Sequence, residues 1–291
     1  MQIFPSRQDF HFLSVNFTVV PVWTEILADV ETPVAAYMKL VGDKPGFLLE
    51  SVEHGGSWSR YSFVGRNALA TMQMRNGNMV VSGAVPEDID LDHGMLGAME
   101  SLLSIYKAPV MEELPPLQGG LMGFLGYDIV REIEDLPNAP RDVHEFPDAV
   151  VSMIGSLVAF DHWRQRVYLL ESVPVAGLTD DEINQAYDAA VVRVHEAVAD
   201  ISRPLAYVAV EPPVAGDVLP ETRSSMPNGR YQKAVEVAKE YIRAGDIFQV
   251  VLSQRFDIDL SADPIDVYRV LRQVNPSPYM YFLRQPDLTI V

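Results

Sequence analysis

The alternation of apolar and polar residues changes rhythm along this chain, and each rhythm predicts a different element. Gly46-Phe47-Leu48-Leu49-Glu50-Ser51-Val52 is a short apolar run ending in polar groups, bounded by Pro45 and the Gly55-Gly56 turn, which predicts a strand. Ser59-Arg60-Tyr61-Ser62-Phe63-Val64-Gly65 alternates with period two, the signature of a half-buried strand. Asn67–Arg75 and Asn78–Val81 flank Asn76-Gly77, a pair that supplies the positive φ angles of a tight hairpin turn. Two more strands are expected at Val150–Phe160 and Arg166–Leu170, joined by the polar turn Asp161–Gln165.

The rhythm becomes helical over Asp180–Ala199, where Ile183, Ala186, Tyr187, Ala190, Val191 and Val194 share a face and acids fill the first turn. Prolines and little periodicity mark residues 204–227 as a linker. Beyond it, Tyr231, Val235, Ala238 and Ile242 line one helical face, with Gly245 placed to end the helix. Ile247–Phe256 is expected as a strand, and Asp263-Pro264 as the N-cap and first position of another helix. Tyr279–Leu283 and Leu288–Val291 form a closing hairpin. The apolar run at Val291 carries no polar tail, which predicts a C-terminally truncated fold. The fold class is α+β: mostly antiparallel β-sheet with flanking helices. It is divided into a domain over 15–203, the linker 204–227 and the start of a second domain over 228–291.

Composition narrows the function classes. With 48% hydrophobic and 21% charged residues the chain is that of a globular protein with a sizeable core. Forty acids against 22 Lys and Arg give a net charge of −18, which disfavours a nucleic-acid surface because phosphate binding needs clustered cations. The absence of cysteine excludes disulfides, thiolate metal sites and a cysteine nucleophile, and fits a reducing, cytoplasmic setting. Neither a signal peptide nor an apolar run of membrane-spanning length is visible, so no membrane partner is expected.

Most catalytic motifs are missing: there is no Walker loop, Gly-x-Ser-x-Gly elbow or His-Glu-x-x-His. The six histidines lack metal-ligand spacing. Gln118–Asp128 is rich in glycine but alternates it with bulky apolar residues. This predicts a buried strand whose glycines admit close neighbours, rather than a phosphate cradle.

Five segments in order carry a family resemblance: Leu48-Leu49-Glu50-Ser51, Ser59–Gly65, Gly119–Asp128, Gly245–Phe256 and Asn275-Pro276-Ser277-Pro278-Tyr279-Met280-Tyr281-Phe282. Together they resemble the chorismate-utilising enzymes, most closely the large subunit, component I, of anthranilate synthases, from about residue 15 onward. The resemblance implies conversion of chorismate and ammonia to anthranilate and pyruvate, with ammonia from a glutamine amidotransferase partner subunit (component II). It also implies Mg²⁺ as cofactor, with its ligands expected beyond residue 291, and feedback inhibition by L-tryptophan. The implied tryptophan-binding residues are Glu50, Ser51, Pro278, Tyr279 and Met280. A carboxylate can hold the ligand's ammonium, a hydroxyl can serve either polar group, and the proline–methionine segment offers an apolar wall for the indole. Gln249 is the implied active-site wall: related enzymes that activate water carry a lysine there, and an amide cannot take up a proton. With its metal ligands elsewhere, the chain is expected to have little activity alone. Aminodeoxychorismate synthase component I and a non-catalytic tryptophan-binding module are the alternatives.

Overall fold

A computed structural model describes residues 1–27, 29–51, 60–86, 88–139, 146–214, 216 and 220–291. The expected Gly55-Gly56 turn, the strand ends at Val52 and Ser59, and His54 and His144 lie outside them. The described chain divides into two compact units. One comprises Met1–Val208 with Leu271–Val291, and the other Ala209–Val270. The last strands therefore fold with the first unit and not with the segment that follows the linker.

In the first unit, seven antiparallel strands make one sheet. In chain order these are β1 (Val19–Leu27), β2 (Gly46–Glu50), β3 (Tyr61–Arg66), β8 (Ser156–Asp161), β9 (Arg166–Pro174), β12 (Met280–Arg284) and β13 (Thr289–Ile290). Their spatial order is β1-β9-β8-β3-β2-β12-β13. Four others, β4 (Ala70–Arg75), β5 (Asn78–Gly83), β6 (Leu121–Leu125) and β7 (Ala149–Met153), make a second antiparallel sheet in the order β5-β4-β7-β6. Asn76 and Gly77 turn the β4–β5 hairpin with φ of 51° and 73°, as the dipeptide predicts.

Register explains the layering. One transverse row runs Trp23, Leu170, Leu157, Gly65, Phe47, Leu283, Ile290 across all seven strands. Its large members pack with Met122 and Phe124 of the smaller sheet, forming the core between the sheets. On the opposite face of β1 and β9, α1 (Arg7–Ser14) and α4 (Asp180–Ile201) bury Phe10, Ile183, Tyr187, Ala190 and Val194 against Val20, Val22 and Val173. The helix α2 (Pro33–Leu40) lies nearby, its Tyr37 ring edge-on to Phe282. Beyond the smaller sheet, α3 (Gly94–Ile105) covers Met72 and Met74 with Met95, Ala98 and Leu102.

Two sequence expectations change here. The single strand at Val150–Phe160 is two strands, β7 and β8, in different sheets. The chain switches sheets at Gly155, where a Cβ would lie 1.8 Å from the Asn67 carbonyl oxygen. The glycine-rich strand is β6, which is half-buried at the rim of its sheet and not fully buried. Its glycine does admit a neighbour: a Cβ at Gly123 would meet the Val150 carbonyl oxygen at 1.9 Å.

The second unit contains α5 (Arg230–Ala244) and the pair β10 (Thr222–Ser224) and β11 (Phe256–Ile258). α5 ends as the sequence predicts, with Gly245 at φ 82° and the Asp246 N–H reaching back to the Tyr241 carbonyl. The expected strand Ile247–Phe256 does not form: 247–255 is irregular, with Phe248 93% and Val251 83% exposed. A strand exists only through ladder partners, and among the described residues this run has none before Phe256. The helix α6 (Pro264–Val274) begins as expected, the Ile265 N–H bonding to the Asp263 carboxylate at 3.0 Å.

Candidate functional site

The Leu-Leu-Glu-Ser motif occupies β2, and the Asn-Pro-Ser-Pro-Tyr-Met motif is the turn after α6 together with the first residue of β12. Pairing of β2 with β12 sets Met280 directly opposite Glu50, and pairing with β3 sets Ser62 on its other side. Residues opposite one another in antiparallel strands share a face. Met280, Glu50 and Ser62 therefore stand together on the face that carries Phe282 toward α2.

Glu50 is 6% exposed, so its charge needs a partner. Arg272, in the last turn of α6, supplies one. Its Nη2 donates to Oε1 at 3.0 Å and its Nε lies 2.9 Å from Oε2. The Nη2 contact is a charge-assisted hydrogen bond, whereas Nε, though close, makes no hydrogen bond among the described residues. Ser51 Oγ is buried and has no hydrogen-bond partner among the described residues, an uncommon state for a buried hydroxyl. Met280 is buried, Pro278 half-buried, and Tyr279 is 78% exposed at the turn. Of the sequence-identified residues, the fold thus gathers Glu50, Ser51, Pro278, Tyr279 and Met280 at one end of β2. Gln249 lies in the other unit, exposed on the irregular stretch where a strand was expected.

Polar groups continue along this end of the sheet. Ser62 Oγ and His162 Nε2 are 2.8 Å apart. Burial pushes the His162 imidazole below its ordinary pKa, against the pull of nearby Asp161, so the ring is neutral at pH 7. For Asp161, burial alone would raise the pKa. The hydrogen bond from Arg60, the N–H groups of Arg164 and Trp163, and the Arg60 charge outweigh it, and the carboxyl sits below the usual range. Arg60 in turn lies over the rings of Tyr61 and Trp163, at 4.7 and 5.2 Å.

Arg272 escaped the sequence analysis. Its position three residues before Asn275 was readable, but nothing in the sequence assigns a solvent-facing arginine on a helix to a buried carboxylate in a distant strand. As for Mg²⁺, among the described residues no group of three or more His, Asp or Glu side chains could hold a metal ion. These residues do not fit the cation, and no step is assigned to it.

Comparison with known proteins identifies the family. The sequence profile of the chorismate binding enzymes matches residues 55–291. The chain is 40% identical over 283 residues to "Anthranilate synthase component 1" of Mycolicibacterium smegmatis, covering 97% of this chain and 53% of that protein. It is 41% identical over 288 residues to the protein of the same name from Mycobacterium tuberculosis H37Rv, covering 97% and 55%. Its fold matches the crystal structure of anthranilate synthase component I from Streptococcus pneumoniae TIGR4 with a TM-score of 0.64 and 27% identity, covering 91% of this chain and 56% of that one. The chain thus spans about half the length of the relatives it matches. With a profile match over most of its length, and with the Leu48–Ser51 and Asn275–Phe282 motifs brought side by side by the β2–β12 ladder, the chain belongs to the chorismate binding enzyme family.

Proposed function

We propose that this chain belongs to component I of an anthranilate synthase and that its own contribution is chiefly the tryptophan-sensing site. The pairing of Glu50 with Met280 carries the reading, because it joins two motifs from opposite parts of the chain into one small surface. Free tryptophan is a zwitterion with a large ring. The Glu50–Arg272 pair presents a carboxylate and a guanidinium side by side, so the ligand's ammonium and carboxylate can insert between them. Ser51 Oγ is open to either group, and Pro278, Tyr279 and Met280 offer the indole an apolar, soft wall.

The reaction of the whole enzyme would be amination of chorismate and loss of pyruvate. Ammonia would come from a component II amidotransferase. Gln249, an uncharged amide, would leave water unactivated while ammonia attacks. By itself the chain is proposed to turn over chorismate little or not at all. The setting is the cytoplasm.

Titration of the chain with L-tryptophan in a calorimeter tests the sensing site. Saturable heat is expected from the natural sequence and its loss from Glu50→Ala, and an absence of heat from the natural sequence overturns the reading. Anthranilate formation from chorismate and ammonia by this chain would overturn the claim of inactivity.

A further inference from the structure

A second site of a different character lies between the two sheets, at the end of β2 away from Glu50. Gly46 and Glu50 are four residues apart on the strand, about 13 Å at the usual rise, and the two sites use opposite faces of the sheet. A cavity of about 300 Å³ opens there. One wall is the Leu283–Phe47–Gly65 part of the transverse row. The other is the row Thr71–Ser152–Met122 of the smaller sheet. Phe47 lies flat over Gly65, where a Cβ would meet the ring at 2.0 Å, so the glycine sets the position of that wall.

Of the polar lining residues, Arg66 and Asn67 bond elsewhere, to Asp200 and Ser156, and three further polar features remain. Gln285 is only 8% exposed and lines the cavity, yet its side-chain amide makes no hydrogen bond among the described residues. Thr71 Oγ1 and Ser152 Oγ bond to each other at 2.9 Å, and since each hydroxyl carries one proton, one O–H is left over. Lys44 is exposed at the mouth, and no acidic residue is among the described lining residues. On a chain of net charge −18, the Lys44 ammonium gives an anion a partner at the mouth, and the adjacent Asp43 is already paired with Arg284. The amide and the remaining hydroxyl proton are donors that a ligand's oxygens can use. A cavity of roughly 150 Å³ suffices for benzene, so this one has room for a larger ring system.

We propose that this cavity binds an aryl carboxylate of one or two fused rings. The ring lies between Phe47 and the Met122 thioether, and the carboxylate faces Lys44 and the Gln285 amide. Such a ligand needs no ammonium group, which separates it from the Glu50 site.

The test uses the intact chain and 2-naphthoate as probe, followed by calorimetry or ligand-observed NMR, with 2-naphthylmethylammonium as the charge control. Saturable one-to-one binding is expected. The ammonium should bind about tenfold more weakly or worse, and excess L-tryptophan should leave the naphthoate affinity unchanged within about twofold. Lys44→Met and Gln285→Leu should each weaken binding about three- to tenfold. Lys44 is exposed, so its replacement leaves the fold intact, and a thermal melt of Gln285→Leu checks the other. Failure of 2-naphthoate to saturate, affinity unaffected by both substitutions, or competitive displacement by L-tryptophan would each overturn the proposal.

Discussion

Two of the buried charges in the first unit are held by arginines in different ways, and each predicts its own response to substitution. Glu50 is held by a hydrogen bond and a close ion pair with Arg272. Replacing the arginine with Met leaves a carboxylate in a nearly dry position, and the expected loss is about 1–3 kcal/mol in a urea titration. The double variant with Glu50→Gln should recover much of that loss, because the stranded charge is gone. Equal stability of Arg272→Met and the natural protein would show that the pair contributes nothing. Asp161 is the second case. Its pKa is lowered on folding, so its contribution is present above the ordinary value of 3.8 and is lost as pH falls through the lower folded value. Destabilisation by Arg60→Met should therefore be largest near neutral pH and should shrink at acid pH, where Asp161 is neutral with or without its arginine. Urea midpoints at the two extremes of pH decide this.

Helix starts show which interactions a sequence can disclose. Thr179 and Glu182 cap α4 reciprocally: the Glu182 N–H bonds to the threonine hydroxyl, and the Glu182 carboxylate accepts the Thr179 N–H at 2.8 Å. The Thr-x-x-Glu spacing was in plain view. α3 has no such local cap. Instead, Glu132, from the short 3-10 turn that follows β6, accepts the Met95 and Leu96 N–H groups at 2.8 and 2.9 Å. That cap arises from tertiary folding and leaves no mark near residue 94. Thr179→Ala should cost about 1 kcal/mol, and Glu132→Ala at least as much, since it strands two donors under a packed helix. Thermal melts of the two variants check the order.

Strands follow the same division between local and distant causes. The β4–β5 hairpin and the β12–β13 closure were legible because turn chemistry and alternation are local. Residues 247–255 were misread because Ile247, Val250 and Val251 favour a strand locally, whereas a ladder depends on partners that a single segment cannot reveal. The break at Gly155 was hidden for a related reason: Val150–Phe160 is apolar apart from two serines and the glycine, and only a sheet-switching chain needs that glycine.

At the scale of the molecule, the two units differ in how much they bury. The sandwich unit has layered cores, with Ala190 and Val194 of α4 fully covered. No residue of α5 is buried, although the helix is amphipathic with Val235 and Ala238 on one face. Amide protons in α5 should therefore exchange about tenfold faster than those in the middle of α4, or faster still. Equal protection in the two helices, read by mass spectrometry after deuterium labelling, would contradict this picture.

The β2–β12 ladder also has a consequence in time. Glu50 and Arg272 are separated by 222 residues, and β2 meets β3 long before β12 has been made. On a ribosome adding about 5–20 residues per second, the Glu50 edge of the nascent sheet stays open for on the order of 10–40 s. During that interval β2 presents unpaired N–H and C=O groups, the state in which strand edges capture the wrong partner. Slower synthesis through the segment between α5 and α6 would lengthen the exposure, and shielding by a chaperone would matter most there. The Glu50 end of the sheet thus matures only once β12 is made, long after β2 itself has been translated.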